Sequence, residues 1–185
     1  NLVIIPDTID GVPVVSIGKS AFQNNSLKEV TLGKNVKHID NLAFANNLLE
    51  KLNIPVDSAL ERIGEYAFLD NSLTSFAFPT YLKVIESGAF SDNLLIELNA
   101  NQVIEEIYDY AFSKNNLREV SLGNSIALFG IGVFSDNGAY VKVNTENTVI
   151  PKLEKSPGPY GHVVGAVRVV LHYIDKTTGK ELRSP

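Results

Sequence analysis

Six phenylalanines recur at nearly constant intervals, and this constrains the fold more than any other feature of the chain. Phe22, Phe44, Phe68, Phe90, Phe112 and Phe134 are separated by 22, 24, 22, 22 and 22 residues. Ala21, Ala43, Ala67, Ala89 and Ala111 precede the first five, and Val133 precedes the sixth. Three residues after each Phe stands an asparagine: Asn25, Asn47, Asn71, Asn93, Asn115 and Asn137. Five residues after come Leu27, Leu49, Leu73, Leu95 and Leu117, with Ala139 in the sixth copy. Self-similarity at a period of roughly 20 to 30 residues marks a solenoid, in which each copy forms one coil and buries its apolar face against the next.

Each repeated position has a physical reason. Val30 and Leu32, Leu52 and Ile54, Phe76 and Phe78, Leu98 and Ala100, and Val120 and Leu122 alternate with other residues at the period of a half-buried strand. Stacking the copies predicts one parallel sheet, advancing about 4.8 Å per coil. A second apolar pair, such as Val36 and Ile39 or Leu82 and Ile85, returns the chain across the far side of the core. In "IGKSAF" Ile17 and Ala21 lie four residues apart, which predicts a short helical turn with the Phe filling the space between coils. Two roles suit the asparagine. It ends the turn in a left-handed conformation, or, buried, it satisfies main-chain groups of neighbouring coils; the sequence leaves both open. Terminal copies are expected to differ from the rest. The sixth has Val133, Ala139 and Lys142 at otherwise regular positions, and the first carries five extra residues in "PDTIDGVPVVSIG". The two extra residues of the second copy, near Val56-Asp57-Ser58, are placed in a loop.

The phrase Leu27-x-x-Val30-x-Leu32-x-x-Asn35 matches the core of the leucine-rich repeat pattern. Together with Ile17-Gly18-Lys19-Ser20-Ala21-Phe22 and Ile63-Gly64-Glu65-Tyr66-Ala67-Phe68, it closely resembles the BspA-like leucine-rich repeat family over residues 1 to about 145. At the general pattern's asparagine only Asn35 conforms; later copies have Asp57, Tyr81, Val103 and Ser125 at or near it, and the Asn after each Phe offers a replacement. The tail segment "VRVVLHYIDKTTGKEL", residues 167–182, resembles the opening of a MucBP-type module. In it Val169, Leu171 and Tyr173 alternate with Arg168 and His172, and Asp175 to Gly179 reads as a hairpin turn. Between them "PKLEKSPGPYGHVVG" reads as a linker.

The expected organisation is therefore an α/β repeat solenoid over residues 1–145, then a linker or cap over 146–166, then the start of a truncated β-rich MucBP-like module over 167–185. The resemblance implies a leucine-rich-repeat-like right-handed superhelix with one parallel sheet and short helical turns opposite. A short β tail follows, expected to pair with the last repeat or with a neighbouring chain, since a lone hairpin is marginal in water. The opening Asn1 to Pro6 reads as the interior of a strand rather than a signal peptide, so the sequence is expected to be part of a longer protein.

The chemistry of the chain argues against catalysis. There is no Cys, so thiol catalysis and zinc knuckles are excluded. His38, His162 and His172 are the only histidines and show no metal-ligand spacing. No Gly-x-Ser-x-Gly turn or phosphate loop occurs; Gly130-Ile131-Gly132 lies within a repeat. Glu105 and Glu106 are adjacent and point apart, and Asp70-Asn71, Asp92-Asn93 and Asp136-Asn137 lack the glycine-rich nonapeptide context of a calcium ladder. No catalytic residue, metal or cofactor is expected. Residues 1–145 carry 10 Lys and Arg against 17 Asp and Glu, while residues 146–185 carry 6 against 4. An acidic body of this kind opposes nucleic acid and anionic lipid alike, and no apolar run reaches membrane-helix length.

The candidate binding surface is the outer face of the predicted sheet. Glu29 and Thr31, Lys51 and Asn53, Ser75 and Ala77, Glu97 and Asn99, and Glu119 and Ser121 stand between the buried strand residues. In leucine-rich repeats this face is concave and commonly binds ligands. Tyr66, Tyr108 and Tyr110 lie on the turn side and offer an alternative patch. The family resemblances imply a non-enzymatic, extracellular adhesion module at the surface or wall of a Gram-positive bacterium, binding a host protein or glycan. The alternative is a structural spacer that projects another module from the wall.

Overall fold

The computed structural model describes residues 1–100, 104–137, 141–145, 170–174 and 181–182. The first coil carries strand β1 (Leu2–Ile4), a hairpin of β2 (Thr8–Ile9) and β3 (Val12–Pro13), and β4 (Ser16–Ile17). Then follow β5 (Glu29–Thr31), β6 (His38–Ile39), β7 (Lys51–Asn53), β8 (Arg62–Ile63) and β9 (Val84–Ile85). Strands β10 (Glu97–Ala100), β11 (Glu106–Ile107), β12 (Glu119–Leu122), β13 (Leu128–Phe129) and β14 (Lys142–Thr145) complete the repeats. The tail contributes β15 (Val170–Ile174) and β16 (Glu181–Leu182).

The expected single parallel sheet is replaced by two parallel walls. The two-residue returning strands pair in the order β4-β6-β8-β9-β11-β13, so the far side of the core is also a ladder. The first wall is divided into β1-β5-β7 and β10-β12-β14. Strand β15 lies parallel to β14, with Lys142 opposite Val170 and Asn144 opposite His172, and β16 runs antiparallel to β15. The linker expected at 146–166 and the hairpin turn expected at Asp175–Gly179 lie outside the described residues.

The third side of each coil is not helical, contrary to expectation: among the described residues there is no helix. The hydrogen bonding explains why. Ala43 N–H bonds Asp40 C=O and Ala45 N–H bonds Leu42 C=O, three residues back. The amides between them turn outward to the next coil instead: Leu42 to Glu65 C=O, Phe44 to Ala67 C=O at 2.8 Å and Asn46 to Leu69 C=O. Every second amide is thus spent between coils, which leaves no continuous helical ladder. Left-handed residues make this path possible. They stand two before each Phe (Ser20, Leu42, Tyr66, Gly88, Tyr110 and Gly132) and two after it (Asn24, Asn46, Asp70, Asp92, Lys114 and Asp136). Such a conformation costs a non-glycine residue about 1–2 kcal/mol, and the coil-to-coil bonds on either side hold it there.

The repeated asparagine therefore takes the buried role, and the residue before it takes the left-handed one. Asn93 is buried. Its Nδ2 donates to Phe68 C=O in the preceding coil at 2.8 Å and to Phe90 and Ser91 C=O in its own. Its Oδ1 accepts from Leu73 N–H at 3.1 Å. Asn47, Asn71, Asn115 and Asn137 repeat the pattern. Asn25, in the first coil, is exposed. Beside this ladder the Phe rings stack: Phe22 on Phe44 at 5.2 Å, Phe68 on Phe90 at 5.2 Å and Phe90 on Phe112 at 5.3 Å between centroids. Phe44, Phe68 and Phe90 are wholly buried.

Two substitutions test this core. Asn93→Ala strands the Leu73 N–H in the interior and takes from the Phe68 carbonyl the shorter of its two donors, leaving it Asn71 Nδ2 at 3.2 Å, so it is expected to cost about 2–3 kcal/mol in urea unfolding. The same change at exposed Asn25 should stay within about 0.5 kcal/mol. Phe90→Ala removes one ring from mid-stack and should cost roughly 3–5 kcal/mol by the same measurement; a loss under about 1 kcal/mol would contradict the stacked core.

Candidate functional site

The first wall sets the geometry of the candidate face. Val30, Leu98 and Val120 point inward and are buried, so the residues on either side of each point outward. Parallel pairing aligns them in rows. Glu29 lies opposite Lys51, and Thr31 opposite Asn53. Glu97 lies opposite Glu119, and Asn99 opposite Ser121. Lys51, Asn53, Glu97, Asn99 and Glu119 are exposed, while Glu29, Thr31 and Ser121 are half-buried.

Part of the face binds itself. Asn53 Nδ2 donates to Glu29 Oε1 at 2.8 Å and to Thr31 Oγ1 at 3.1 Å. These three side chains form one small network spanning two coils. At the other end Glu97 and Glu119 stand side by side at the ladder spacing, about 4.8 Å. Carboxylates of this kind accept from cationic or hydroxyl-bearing groups.

Ser75 departs from the prediction. It is exposed, but it belongs to no strand. The wall breaks here because Phe76 and Phe78 are too large for the inward places that Leu and Ile fill in the coil before. Phe76 leans onto Phe90, with centroids 4.5 Å apart, and Phe78 reaches Phe112 two coils on at 6.3 Å. It passes the coil whose equivalent residue is the small Ala100. No hydrogen bond joins the backbone of Ser75 to Ala77 to the strands on either side. Leu52 and Ile54, next to the break, stay half-buried. The break spares the rest of the coil, since Asn71 and Phe68 keep their ladder partners.

The structure adds residues that the sequence reading did not place on this face. Leu2 is in register with Glu29, and Ile4 with Thr31. They are 56% and 65% exposed, so the row ends in an apolar step. The unbroken apolar run Leu2-Val3-Ile4-Ile5 carried that signal, since a strand must turn alternate members of it outward. Leu94 and Ile96 are also largely exposed, just ahead of β10. They fall at positions the repeat leaves variable, so no periodic signal marked them.

The histidines, paired acids and tyrosines distribute as follows. His38 is half-buried on β6, and His162 lies outside the described residues. Tyr108 donates its hydroxyl to Glu106 Oε2 at 2.8 Å, which pushes its pKa up. Glu105 pairs with Lys83 at 2.8 Å, and this hydrogen bond raises the lysine's pKa. Among the described residues, no group of three or more His, Asp or Glu side chains is gathered closely enough to hold a metal ion.

A stack of parallel strands with an aligned outer row defines a leucine-rich-repeat type of solenoid. The chain belongs to the BspA-type leucine-rich repeat family: the family model, described as "BspA type Leucine rich repeat region (6 copies)", matches residues 3–92 and 43–153. Among solved structures, the pneumococcal vaccine antigen PcpA superposes with a TM-score of 0.66 at 22% identity, covering 77% of this chain and 40% of the antigen. A leucine rich cell surface protein from Faecalibacterium prausnitzii A2-165 superposes with a TM-score of 0.55 at 19% identity, covering 97% of this chain and 52% of that one. The chain thus spans about half or less of these proteins, and the likeness is one of fold. No curated protein matches the chain significantly.

The broken wall makes a prediction for hydrogen exchange. The amides of Ser75, Phe76 and Ala77 should exchange at close to unprotected rates, while those of Val30 and Val120 remain protected. Equal protection at all five positions would show that the wall is continuous in solution.

Proposed function

We propose that this chain is a non-enzymatic recognition module of a bacterial cell-surface protein and that its outer strand face binds a host protein or glycan. The observation that carries this reading is the alignment of outward side chains in register on either side of the break at Ser75, from the apolar Leu2 and Ile4 through Glu29, Thr31, Lys51 and Asn53, and again from Glu97 and Asn99 to Glu119 and Ser121. Membership of the BspA-type repeat family supports it, as do the two structural neighbours, one named a vaccine antigen and the other a cell surface protein. The surface or cell-wall location, with a linker at 146–166 and the start of a MucBP-like module at 167–185, belongs to the same proposal.

One observation favours a second reading, a structural spacer. Asn53, Glu29 and Thr31 satisfy one another, and cross-coil ion pairs such as Lys28–Glu50 and Lys37–Glu61 do the same on the flanks. A surface that satisfies itself needs no ligand. The triple variant Glu29→Lys, Glu97→Lys, Glu119→Lys separates the two. Capture of the purified protein by immobilised host cells should fall at least about tenfold, equivalent to 1.4 kcal/mol, while the urea midpoint falls only by the equivalent of about 1 kcal/mol for the lost Glu29–Asn53 bond. Undiminished capture by the folded variant would favour the spacer.

A further inference from the structure

The turn side of the solenoid carries an aromatic feature unrelated to the strand face. The residue two before each Phe always has a positive φ, but its identity changes along the stack. In the last four coils it runs Tyr66, Gly88, Tyr110, Gly132. The alternation has a steric cause. A Cβ at Gly88 would stand 2.2 Å from Tyr66 Cε1, and one at Gly132 would stand 2.6 Å from Tyr110 Cε1. Each tyrosine therefore lies over the glycine of the following coil, and only glycine leaves room for it.

The glycines fix the rings without burying them. Tyr66 is 39% exposed and Tyr110 is 51% exposed. Two coils separate them, so equivalent points on the rings are about 10 Å apart, two steps of ~4.8 Å along the stack. The coil between presents Gly88 at this position, which adds no side chain of its own and is covered by the Tyr66 ring. Exposed acidic side chains stand on the same turn segments: Asp70, Asp92 and Asp136 four residues after the ridge position of their coils, and Asp109 just before Tyr110; Asp92 pairs with Lys114, and Asp109 Oδ1 accepts from Ile131 N–H at 2.8 Å.

We propose that this tyrosine ridge binds an extended, β-linked glycan that carries no anionic groups, with alternate sugar rings resting on Tyr66 and Tyr110. The chemistry of the ridge selects this occupant. The C–H face of a pyranose carries partial positive charge and suits the negative face of an aromatic ring. Carboxylates accept two or more hydrogen bonds each and suit sugar hydroxyls or amides. Their negative charge opposes sulfated or sialylated chains. The separation of the rings is close to the length of one disaccharide unit in an extended β-linked chain, so a single chain spans both. The ridge lies on a different side of the coil from the strand face, and the inference stands or falls independently of the function proposed for that face.

The chain has no tryptophan, and two of its seven tyrosines form the ridge, so a tyrosine-fluorescence change that disappears in the double variant below reports on the ridge. Purified protein is titrated with chitohexaose and cellohexaose, with heparin as the anionic control. One of the two neutral hexasaccharides is expected to give a saturable change, and heparin none. In the double variant Tyr66→Asn, Tyr110→Asn, affinity measured by calorimetry should fall at least tenfold. Asparagine tolerates the left-handed backbone at both positions, and an unchanged urea midpoint verifies the fold. The triple lysine variant of the strand face should bind the sugar as the parent does. Absence of binding by both neutral hexasaccharides, undiminished affinity in the double variant, or tighter binding of heparin would each overturn the proposal. A double variant that lost cell capture while neither protein bound sugar would assign the tyrosines to a protein contact, which also overturns it.

Discussion

Each coil of this molecule depends on a side chain that it does not contain. The asparagine that closes one turn sends its amide back to the phenylalanine carbonyl of the preceding coil, and its oxygen takes a main-chain N–H from that coil. The side chains beside the stacked rings are closed off from solvent. Leaving such groups unpaired costs on the order of 1–3 kcal/mol apiece. The asparagine column and the phenylalanine column are therefore one device. The rings bury the apolar area and dry the interior, and a dry interior is what makes the asparagine bonds matter.

Most of this was legible in the residues. The period followed from Phe22 to Phe134, and the inward strand positions followed from pairs such as Val30 and Leu32, because every coil faces the same packing problem. The turn was misread for a physical reason. Ile17 and Ala21 sit at helical spacing, but the amides of Ser20 and Phe22 bond forward to Asn41 and Ala43. Whether an amide bonds within its own segment or across the stack is decided by the neighbouring coil, which local spacing does not encode. The returning segment was read correctly as apolar, yet its formation of a second ladder is likewise a property of the stack.

The candidate face divides along the same line. Outward positions such as Glu97 and Asn99 follow from alternation. Ser75 does not, because its place depends on how Phe76 and Phe78 are accommodated two coils away. The size of those rings was plain in the sequence, and their consequence for the wall was not. Leu94, Ile96, Tyr66 and Tyr110 occupy places where the repeat imposes no identity. Residues of that kind carry no periodic signal, and only the assembled surface shows which of them stand together.

The asparagine column also gives the molecule a direction in time. Asn47 completes the coil of Phe22, Asn71 that of Phe44, and so on toward the C-terminus. A chain emerging from a ribosome or a translocation channel exposes each coil before the residue that will close it. The newest coil is always unfinished until about one further repeat has followed. Order in this stack advances one coil behind synthesis, and the last coil to emerge locks its predecessor rather than itself.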